Sequence, residues 1–334
     1  MKVHYDLQQL PIFNKAVITI GTFDGVHTGH RAIIKQLKDE ASKINGETVI
    51  ITFNPHPRTI IGDTSKPLHL LNTLSEKIEL LAQQQIDHLV VVPFTQAFAQ
   101  QTAEAYVHDF LIKNFHPHTI IIGYDHHFGQ GRKGNYLLLE ALKESLGFEL
   151  KEIPAQLLQH SAISSTRIRE AIKNGDISTA NQGLGYNYFF EGEVVKGNQL
   201  GRAIGYPTAN LQIKDAYKLL PGNGVYAVKA VVSGQWSMVN KSLISTNESL
   251  NSAELATHHS PLTGMMNIGF RPTVDGTKMT VEVNLFDFEE DIYGKILRVY
   301  VKSHLRNEQK FNGLDALKQQ LALDKNNALE KLKA

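Results

Sequence analysis

A strand meets a helix in the stretch Ile18-Thr19-Ile20-Gly21-Thr22-Phe23-Asp24-Gly25-Val26-His27-Thr28-Gly29-His30, near the start of the chain. The apolar run from Ala16 to Ile20 predicts a buried strand, and Asp24-Gly25 predicts a sharp turn. The pattern from Arg31 to Lys43 then predicts a helix that opens just beyond the two histidines. The loop therefore delivers both histidines to the N-terminus of a helix.

This histidine loop, residues 18–30, has the chemistry of a phosphate-handling site. Free backbone N–H groups and the helix dipole favour anions at a helix N-terminus. His27 and His30 add imidazole donors that can meet charge developing on a phosphate, and the loop lacks the lysine of a P-loop. Two other interpretations stay open. The glycines serve only the turn and the histidines are surface residues, or the histidines bind a metal, although no obvious third ligand lies nearby in the sequence.

Composition limits the classes of protein to which the chain can belong. Its 334 residues are enough for two domains with a sizeable core, and 42% hydrophobic with 20% charged residues describe an ordinary globular protein. Lys plus Arg (34) nearly balances Asp plus Glu (33), so no overall field attracts nucleic acid or an anionic membrane, and we expect neither as a partner. Any anion site must be local.

The chain contains no cysteine, which excludes disulfides, thiolate metal sites and a cysteine nucleophile. Residues 1–6 lack the basic and apolar regions of a signal peptide, and no apolar run approaches the ~18 residues of a membrane span. We expect a cytoplasmic protein whose oligomeric state, homo-oligomers included, the sequence leaves open.

The first half of the chain alternates apolar runs, which predict strands, with periodic segments, which predict helices. The strands are expected at 48–53, 88–92, 119–122 and 148–153, and the helices at 74–85, 103–114 and 136–146. This alternation is typical of a doubly wound α/β domain, in which ligands gather at the carboxyl ends of the parallel strands. Polar segments follow two of these strands, at Asn54–Arg58 and at the glycine-rich Gly123–Asn135.

A helix start at Ile163–Glu170 carries hydroxyl caps followed by arginines in its first turn. The helix dipole disfavours cations there, so Arg167 and Arg169 suggest that an anion completes the site. The alternative is an ordinary capping box whose arginines pair with acidic neighbours such as Glu170 or Asp176.

The pattern changes near Gly183–Tyr186. Short alternating segments bounded by glycine, proline or asparagine follow, at 188–195, 224–232, 265–269, 280–288 and 297–305. They predict an antiparallel β domain, with a closed barrel as the expected form, and the leucines after Gly313 predict one amphipathic closing helix. We place the domain boundary between residues 184 and 185.

Two stretches of the second half carry chemistry. In Gly197–Asn210 the glycines permit close approach of the backbone to a ligand, and Thr208 and Asn210 place oxygens two residues apart, a spacing that suits one side of a Mg²⁺ ion. Glu282 alternates with two valines, so it faces away from them. On the inner face of a small barrel a carboxylate needs a partner or a role, and we infer that of general base for a hydroxyl. The alternative is that Glu282 lies on the wet face.

Together these motifs resemble the prokaryotic bifunctional riboflavin kinase/FMN adenylyltransferases, also called FAD synthetases. The likeness covers almost the whole chain and includes Asn267–Thr273 and Asp291–Gly294. His-x-Gly-His is shared by many nucleotidyltransferases, but the order of the motifs along one chain is highly specific. The resemblance implies a Rossmann-like nucleotidyltransferase domain with a parallel sheet over residues 1–184, and an antiparallel β-barrel riboflavin kinase domain with a closing helix over residues 185–334.

The resemblance further implies two reactions. ATP phosphorylates riboflavin to FMN in the C-terminal domain, and FMN attacks the α-phosphorus of a second ATP in the N-terminal domain, which gives FAD and pyrophosphate. Mg²⁺ is the implied cofactor, and riboflavin, FMN and ATP are the implied small-molecule partners. Both steps are displacements at phosphorus that need positioning and charge neutralisation more than a nucleophile triad.

The resemblance also assigns roles to individual residues. In adenylyl transfer His27 and His30 would stabilise the ATP phosphates, and Asp125 would lie beside the flavin. The other ATP-binding residues of that site would be Gly21, Phe23, Asp24, Gly25, Ser165, Thr166 and Arg169. In the kinase the residues would be Gly201 and Gly205 for ATP, Thr208 and Asn210 for Mg²⁺, and Glu282 to activate the ribityl 5′-hydroxyl.

Two features depart from the family. Asn284 stands where the family often has histidine, and a long insertion, residues 237–262, is rich in Ser, Thr and Asn and is expected to be mobile. Two other functions stay open: a flavin-binding sensor that has lost its chemistry, or adenylyl or cytidylyl transfer to another phosphorylated acceptor. The presence of every chemical residue disfavours the first, and the second leaves the C-terminal half unexplained.

Overall fold

The computed structural model describes residues 1–62, 68–123, 126–153, 164–197, 200–233, 261–273 and 276–333. These residues form two compact units, which are described separately. Within the described ranges the first unit takes residues up to 68 and 74–164, and the second takes 69–73 and 165 onward. Asp125 and residues 237–260 of the expected insertion lie outside the described residues.

The first unit is built on one six-stranded sheet whose strand pairs are all parallel. Its strands are β1 Lys2–His4, β2 Val17–Ile20, β3 Thr48–Asn54, β4 His88–Pro93, β5 Thr119–Gly123 and β6 Glu149–Ile153. They lie in the order β1-β4-β3-β2-β5-β6. The four central strands are buried along nearly their whole length, as expected for a parallel sheet covered on both faces. The predicted doubly wound α/β domain is therefore confirmed.

Helices connect these strands. They are α1 Thr28–Ile44, α2 Pro57–Ile61, α3 Leu74–Ala82, α4 Gln96–Ala99, α5 Ala103–Ala105, α6 Lys113–Phe115 and α7 Tyr136–Leu146, with a π-helix at Tyr106–Ile112. Helix α7 has the predicted bounds because strong signals mark both of its ends. The Asn135 side chain accepts a hydrogen bond from the amide of Leu138, and Gly147 ends the helix at φ 74°.

The helix after the histidine loop begins earlier than predicted. We expected it to open at Arg31, beyond both histidines, whereas α1 begins at Thr28 with His27 as its N-cap residue. The prediction was wrong because apolar periodicity marks only the buried face of a helix, here at Ile34 and Leu37, and the first turn is polar. Strand β1 was not predicted because three residues are too few to show a pattern.

The second unit is built on a closed antiparallel barrel, as predicted. Its strands are β7 Phe189–Val195, β8 Ala209–Gln212, β9 Gly224–Ser233, β10 Leu262–Thr273, β11 Gly276–Leu285 and β12 Ile296–Arg306. They close in the order β10-β11-β8-β7-β12-β9. Strand β8 escaped prediction because it has only four residues and follows a glycine- and proline-containing loop.

The helices described in the second unit are α8 Ser165–Lys173, α9 Ile177–Leu184, α10 Leu200–Ala203 and α11 Leu314–Lys333. Helix α11 packs Ala328 and Leu332 against Ala227 and Met265 of the barrel wall. Arg306 of β12 fixes the same helix, since its Nε lies 2.9 Å and its Nη2 2.7 Å from carboxylate oxygens of Asp324. The predicted closing helix is confirmed, although it continues well beyond the leucines that revealed it.

Residues before position 185 are bound to the barrel. Asn181 of α9 donates a hydrogen bond to the carbonyl of Val301 (3.0 Å) and accepts one from the amide of Tyr188 (2.7 Å). The short segment 69–73 also joins this unit, because the amide of Leu70 donates to the carbonyl of Tyr217 at 2.6 Å. The compact unit that contains the barrel therefore includes α8, α9 and this segment.

Candidate active sites

The histidine loop of the first unit is a tight backbone turn. Gly25 has φ 89°, and Phe23 and Val26 have φ 48° and 37°, so three residues within four positions are left-handed. The amide of Val26 donates to the carbonyl of Phe23 at 3.2 Å. A Cβ on Gly21 would come within 3.1 Å of the Phe23 ring, so any larger residue would require that ring to shift by a few tenths of an ångström. The predicted turn at Asp24-Gly25 is confirmed.

The loop brings the two histidines into contact. The rings of His27 and His30 stack with centroids 3.8 Å apart and an interplanar angle of 19°. His27 is only 7% exposed, and the Phe23 ring lies 5.0 Å from the His30 ring. The interpretation of the histidines as surface residues is therefore wrong.

Burial also sets the protonation state of His30. It lowers the pKa of His30 well below 6.5, and positive charge on His27 and on Lys77 lowers it further. His30 is accordingly neutral at pH 7, so its ring carries one N–H donor and one acceptor nitrogen. The buried Nδ1 of His30 has no hydrogen-bond partner among the described residues. A neutral imidazole with spare hydrogen-bonding capacity suits an anionic ligand that supplies acceptor oxygens.

Lys77 of α3 is a charged neighbour of this loop that the sequence did not reveal. It is 6% exposed, and burial lowers the pKa of its ammonium group to about 8, a shift partly opposed by the carboxylate of Asp24. Asp24 is itself buried. A buried lysine one position after a glutamate on an amphipathic helix has no distinctive sequence signal, which is why it was missed. In the described part of the chain no group of three or more His, Cys, Asp or Glu side chains that could hold a metal ion gathers around the histidines or elsewhere.

The hydroxyl and arginine motif lies in the second compact unit. Ser165, Thr166 and Arg169 occupy the first turns of α8, whose Ile168 and Ile172 are buried. Ser165 and Arg169 are partly buried and Thr166 is exposed. The structure thus describes these residues in a different unit from His27, and their joint role with the histidines stays a prediction.

In the barrel, strand register brings the predicted kinase residues together. Glu282 of β11 pairs directly with Asn210 of β8 on one side and with Asn267 of β10 on the other. Directly opposed residues of antiparallel strands project from the same face of the sheet. One carboxylate and two carboxamides therefore form a polar row across three strands.

This row lies on the outer face of the barrel, so of the two orientations that the sequence left open for Glu282 the outward one is correct. Val281 and Val283 are 4% and 0% exposed and pair with buried Ile268 and Met266, so these apolar side chains fill the interior. Alternation along β11 then turns Glu282 outward, where it is partly buried. The physical reason is that an apolar interior leaves no room or partner for a carboxylate.

The loop before β8 is shaped by its glycines. A Cβ on Gly201 would lie 2.3 Å from the carbonyl oxygen of Tyr206, and the amide of Tyr206 donates to the carbonyl of Gly201 at 2.8 Å. Gly205 has φ 84°, and a Cβ on Gly197 would lie 2.2 Å from the side-chain nitrogen Nδ2 of Asn210. These glycines let the loop fold back on itself and lie against Asn210.

A pocket opens where this loop meets the chain after β11. Its polar lining includes Arg202 of α10 and Thr208 of the loop on one side, and Glu290, Asp291 and Tyr293 on the other. Val194, Val283 and Leu285 of the barrel contribute apolar walls. Arg202 and Glu290 were not predicted as site residues, because a single isolated charge carries no pattern that sequence analysis can use.

The fold and the two candidate sites are those of a two-domain transferase of phosphate-containing groups. A family model described as FAD synthetase matches residues 10–167, and one described as riboflavin kinase matches residues 184–332. The chain is 35% identical over 326 residues to the bifunctional riboflavin kinase/FMN adenylyltransferase of Escherichia coli strain K12. The alignment covers 98% of this chain and 95% of that protein. The chain belongs to the family of bifunctional riboflavin kinase/FMN adenylyltransferases.

Other comparisons agree with this assignment. The protein of the same name from Bacillus subtilis strain 168 is 33% identical over 319 residues, covering 94% of this chain and 92% of that protein. The resemblance found in the sequence is confirmed, and so is the order of the two enzyme domains of FAD biosynthesis.

A solved structure shares the fold over nearly the full length. It is described as a macrolide-efflux protein from Streptococcus pneumoniae, is 29% identical, has a TM-score of 0.78, and matches 97% of both chains. The efflux function in that description is not the one that either family model describes. Within the described ranges, none of the helices combines the length and apolarity needed to cross a membrane.

Proposed function

We propose that this chain makes FAD from riboflavin in two successive steps at two separate sites. The barrel transfers the γ-phosphoryl group of ATP to riboflavin, and the parallel-sheet domain joins the resulting FMN to AMP from a second ATP. The observation that carries the proposal is that residues suited to phosphate chemistry occur within each of the two matched family regions.

In adenylyl transfer a phosphate oxygen of FMN forms a bond to the α-phosphorus of ATP, and the bond to pyrophosphate breaks. We assign His27 and His30 as donors to the phosphate oxygens on which charge develops. The ATP-binding set is completed by Gly21, Phe23, Asp24, Gly25, Ser165, Thr166 and Arg169. Asp125, outside the described residues, is assigned to the flavin side. The contact between the two rings and the neutral state of His30 support the histidine assignment.

In the kinase Glu282 takes the proton from the ribityl 5′-hydroxyl as its oxygen attacks the γ-phosphorus and ADP leaves. Thr208 and Asn210 offer the oxygen ligands that Mg²⁺ prefers, with Gly201 and Gly205 shaping the loop beside ATP. When bound, Mg²⁺ would neutralise phosphate charge. The pairing of Asn210 with Glu282 supports one shared centre, because it sets the proposed metal ligand beside the proposed base.

We place the division between the two activities between residues 184 and 185, although the compact unit that contains the barrel also includes residues before position 185. We also propose a cytoplasmic location, in keeping with the ATP that both reactions consume. We propose Mg²⁺ as the cofactor of both reactions.

The test is to incubate the purified protein with riboflavin, ATP and Mg²⁺ and to separate the flavins over time. FMN should appear first and FAD later, and pyrophosphate should form in step with FAD. A protein that binds riboflavin but makes neither product would instead be the flavin-binding sensor. Accumulation of FMN without FAD under any ATP concentration would point to another acceptor for the adenylyltransferase domain.

A further inference from the structure

Asn284 ties the strand that carries Glu282 to the glycine-rich loop. Its side chain is 6% exposed, and its Nδ2 donates a hydrogen bond to the carbonyl oxygen of Pro207 at 2.7 Å. Asn284 lies two positions after Glu282 on β11, so the two side chains leave the strand on the same outer face. The bond therefore joins the strand that holds the proposed base to the loop.

Pro207 is the point of the loop where such a bond has most effect. Proline has no backbone N–H, so its carbonyl is the one backbone group through which it can be held. Thr208 follows directly, and Asn210 follows two positions later on β8, where it pairs with Glu282. The amide of Tyr206, just before Pro207, holds the loop to Gly201 at 2.8 Å. The loop is thus fixed on itself at Tyr206 and fixed to β11 at Pro207.

We propose that Asn284 is a positioning residue of the riboflavin kinase, which sets Thr208 and Asn210 at the correct place relative to Glu282 by holding the carbonyl of Pro207. The inference rests on the proposed function of those three residues. Asn284 itself contacts neither substrate nor metal in this account. Its contribution is the N–H donor of its carboxamide, since the partner is a carbonyl oxygen that can only accept.

Because the proposed role of Asn284 requires a hydrogen-bond donor, variants with and without a donor at this position can be compared. Asn284→Leu keeps the approximate volume and removes the donor, whereas Asn284→His keeps a ring N–H and uses the residue that the resembling family often has at this place. Loss of a neutral hydrogen bond is expected to raise the Mg²⁺ concentration for half-maximal kinase activity, and the KM for ATP, roughly threefold to tenfold. Asn284→His should return both values towards those of the wild type.

Two readouts separate positioning from a general loss of stability. FAD formation from supplied FMN, measured on the same Asn284→Leu protein, should be unchanged because it uses the other domain. The KM for riboflavin should also change less than the KM for ATP. If Asn284→Leu does not fold, Asn284→Ala takes its place, because alanine also lacks a donor and adds no charge beside the proposed metal ligands.

Thr208→Val in the same assays distinguishes failure of this inference from failure of the proposed function. If Thr208→Val raises the Mg²⁺ requirement and a folded donor-less Asn284 variant does not, the positioning role is wrong. If neither variant changes it, the assignment of the metal ligands is wrong, and the inference falls with it. A donor-less variant that changes kinase and FAD formation equally would show a merely structural role.

Discussion

Asn210 and Glu282 are directly opposed residues on the antiparallel strands β8 and β11. Side chains in such a pair leave the same face, with Cβ atoms about 5 Å apart. A carboxamide oxygen and a carboxylate are thereby held on a rigid part of the barrel. This geometry is what a kinase needs if one residue holds a metal on the phosphates while the other takes the proton from the attacking hydroxyl.

Replacing Glu282 by glutamine should stop phosphorylation of riboflavin. The change keeps the size of the side chain and removes the base, which is expected to cost roughly 10²- to 10⁴-fold in rate. Conversion of supplied FMN to FAD by the same protein is the internal control and should stay near the wild-type rate. Undiminished kinase turnover in Glu282→Gln would reduce the residue to a part of the scaffold.

Replacing His30 by alanine should impair FAD formation and leave the phosphorylation of riboflavin intact. It removes a donor from the proposed phosphate site and should slow FAD formation by roughly 10²- to 10³-fold, while FMN accumulates from riboflavin. Flavin separation after incubation with riboflavin and ATP measures both effects in one sample. A parallel fall in FMN and FAD would contradict the assignment of separate sites.

The barrel should need the helices that precede it. A fragment of residues 185–334 loses α9, whose Ile177 and Leu184 are buried and whose Asn181 bonds to the barrel. We expect the fragment 165–334, which keeps α8 and α9, to melt at a higher temperature than 185–334, because removing these two helices exposes apolar surface. Both lack the segment 69–73, so the comparison is matched. Equal melting temperatures would show that α8 and α9 add nothing to the stability of the barrel.

Acid should destabilise the first unit through His4. Its Nε2 lies 3.0 Å from Nδ1 of His88, and burial, with positive charge on His88 and Lys2, lowers the pKa of His4 to about 4. The unfolded chain, with a histidine pKa near ~6.5, takes up the proton first as the pH falls. Stability should therefore be lost between pH 6.5 and about 4. His4→Gln, which does not titrate, should show a shallower fall in melting temperature over that range, and equal slopes would contradict this account.

Some features of this fold were readable from sequence because local signals agreed with tertiary packing. Helix α7 has an Asn135 cap, apolar periodicity and Gly147 at its end, and all three point to the same bounds. The barrel strands alternate because one face is packed and the other is not. Strands β1 and β8, of three and four residues, are too short to carry such a pattern.

Other features depend on the assembled structure. Alternation shows that Glu282 points to the opposite face of the sheet from Val281 and Val283. Only the packed apolar interior shows which of the two faces is the inner face of the barrel. Likewise Lys77 approaches Asp24 and His30 from a helix distant in sequence, and the bond from Asn284 to Pro207 joins residues 77 positions apart. Long-range contacts of this kind leave no trace in local periodicity.

The central claim is that two independent sites on this chain carry out the two reactions, and a mixture of variants tests it most directly. Glu282→Gln alone should give neither FMN nor FAD from riboflavin, and His30→Ala alone should give FMN only. An equimolar mixture of the two proteins with riboflavin, ATP and Mg²⁺ should form FAD, because FMN released by one protein is used by the other. Absence of FAD from that mixture, when each protein still performs its remaining reaction, would contradict the account.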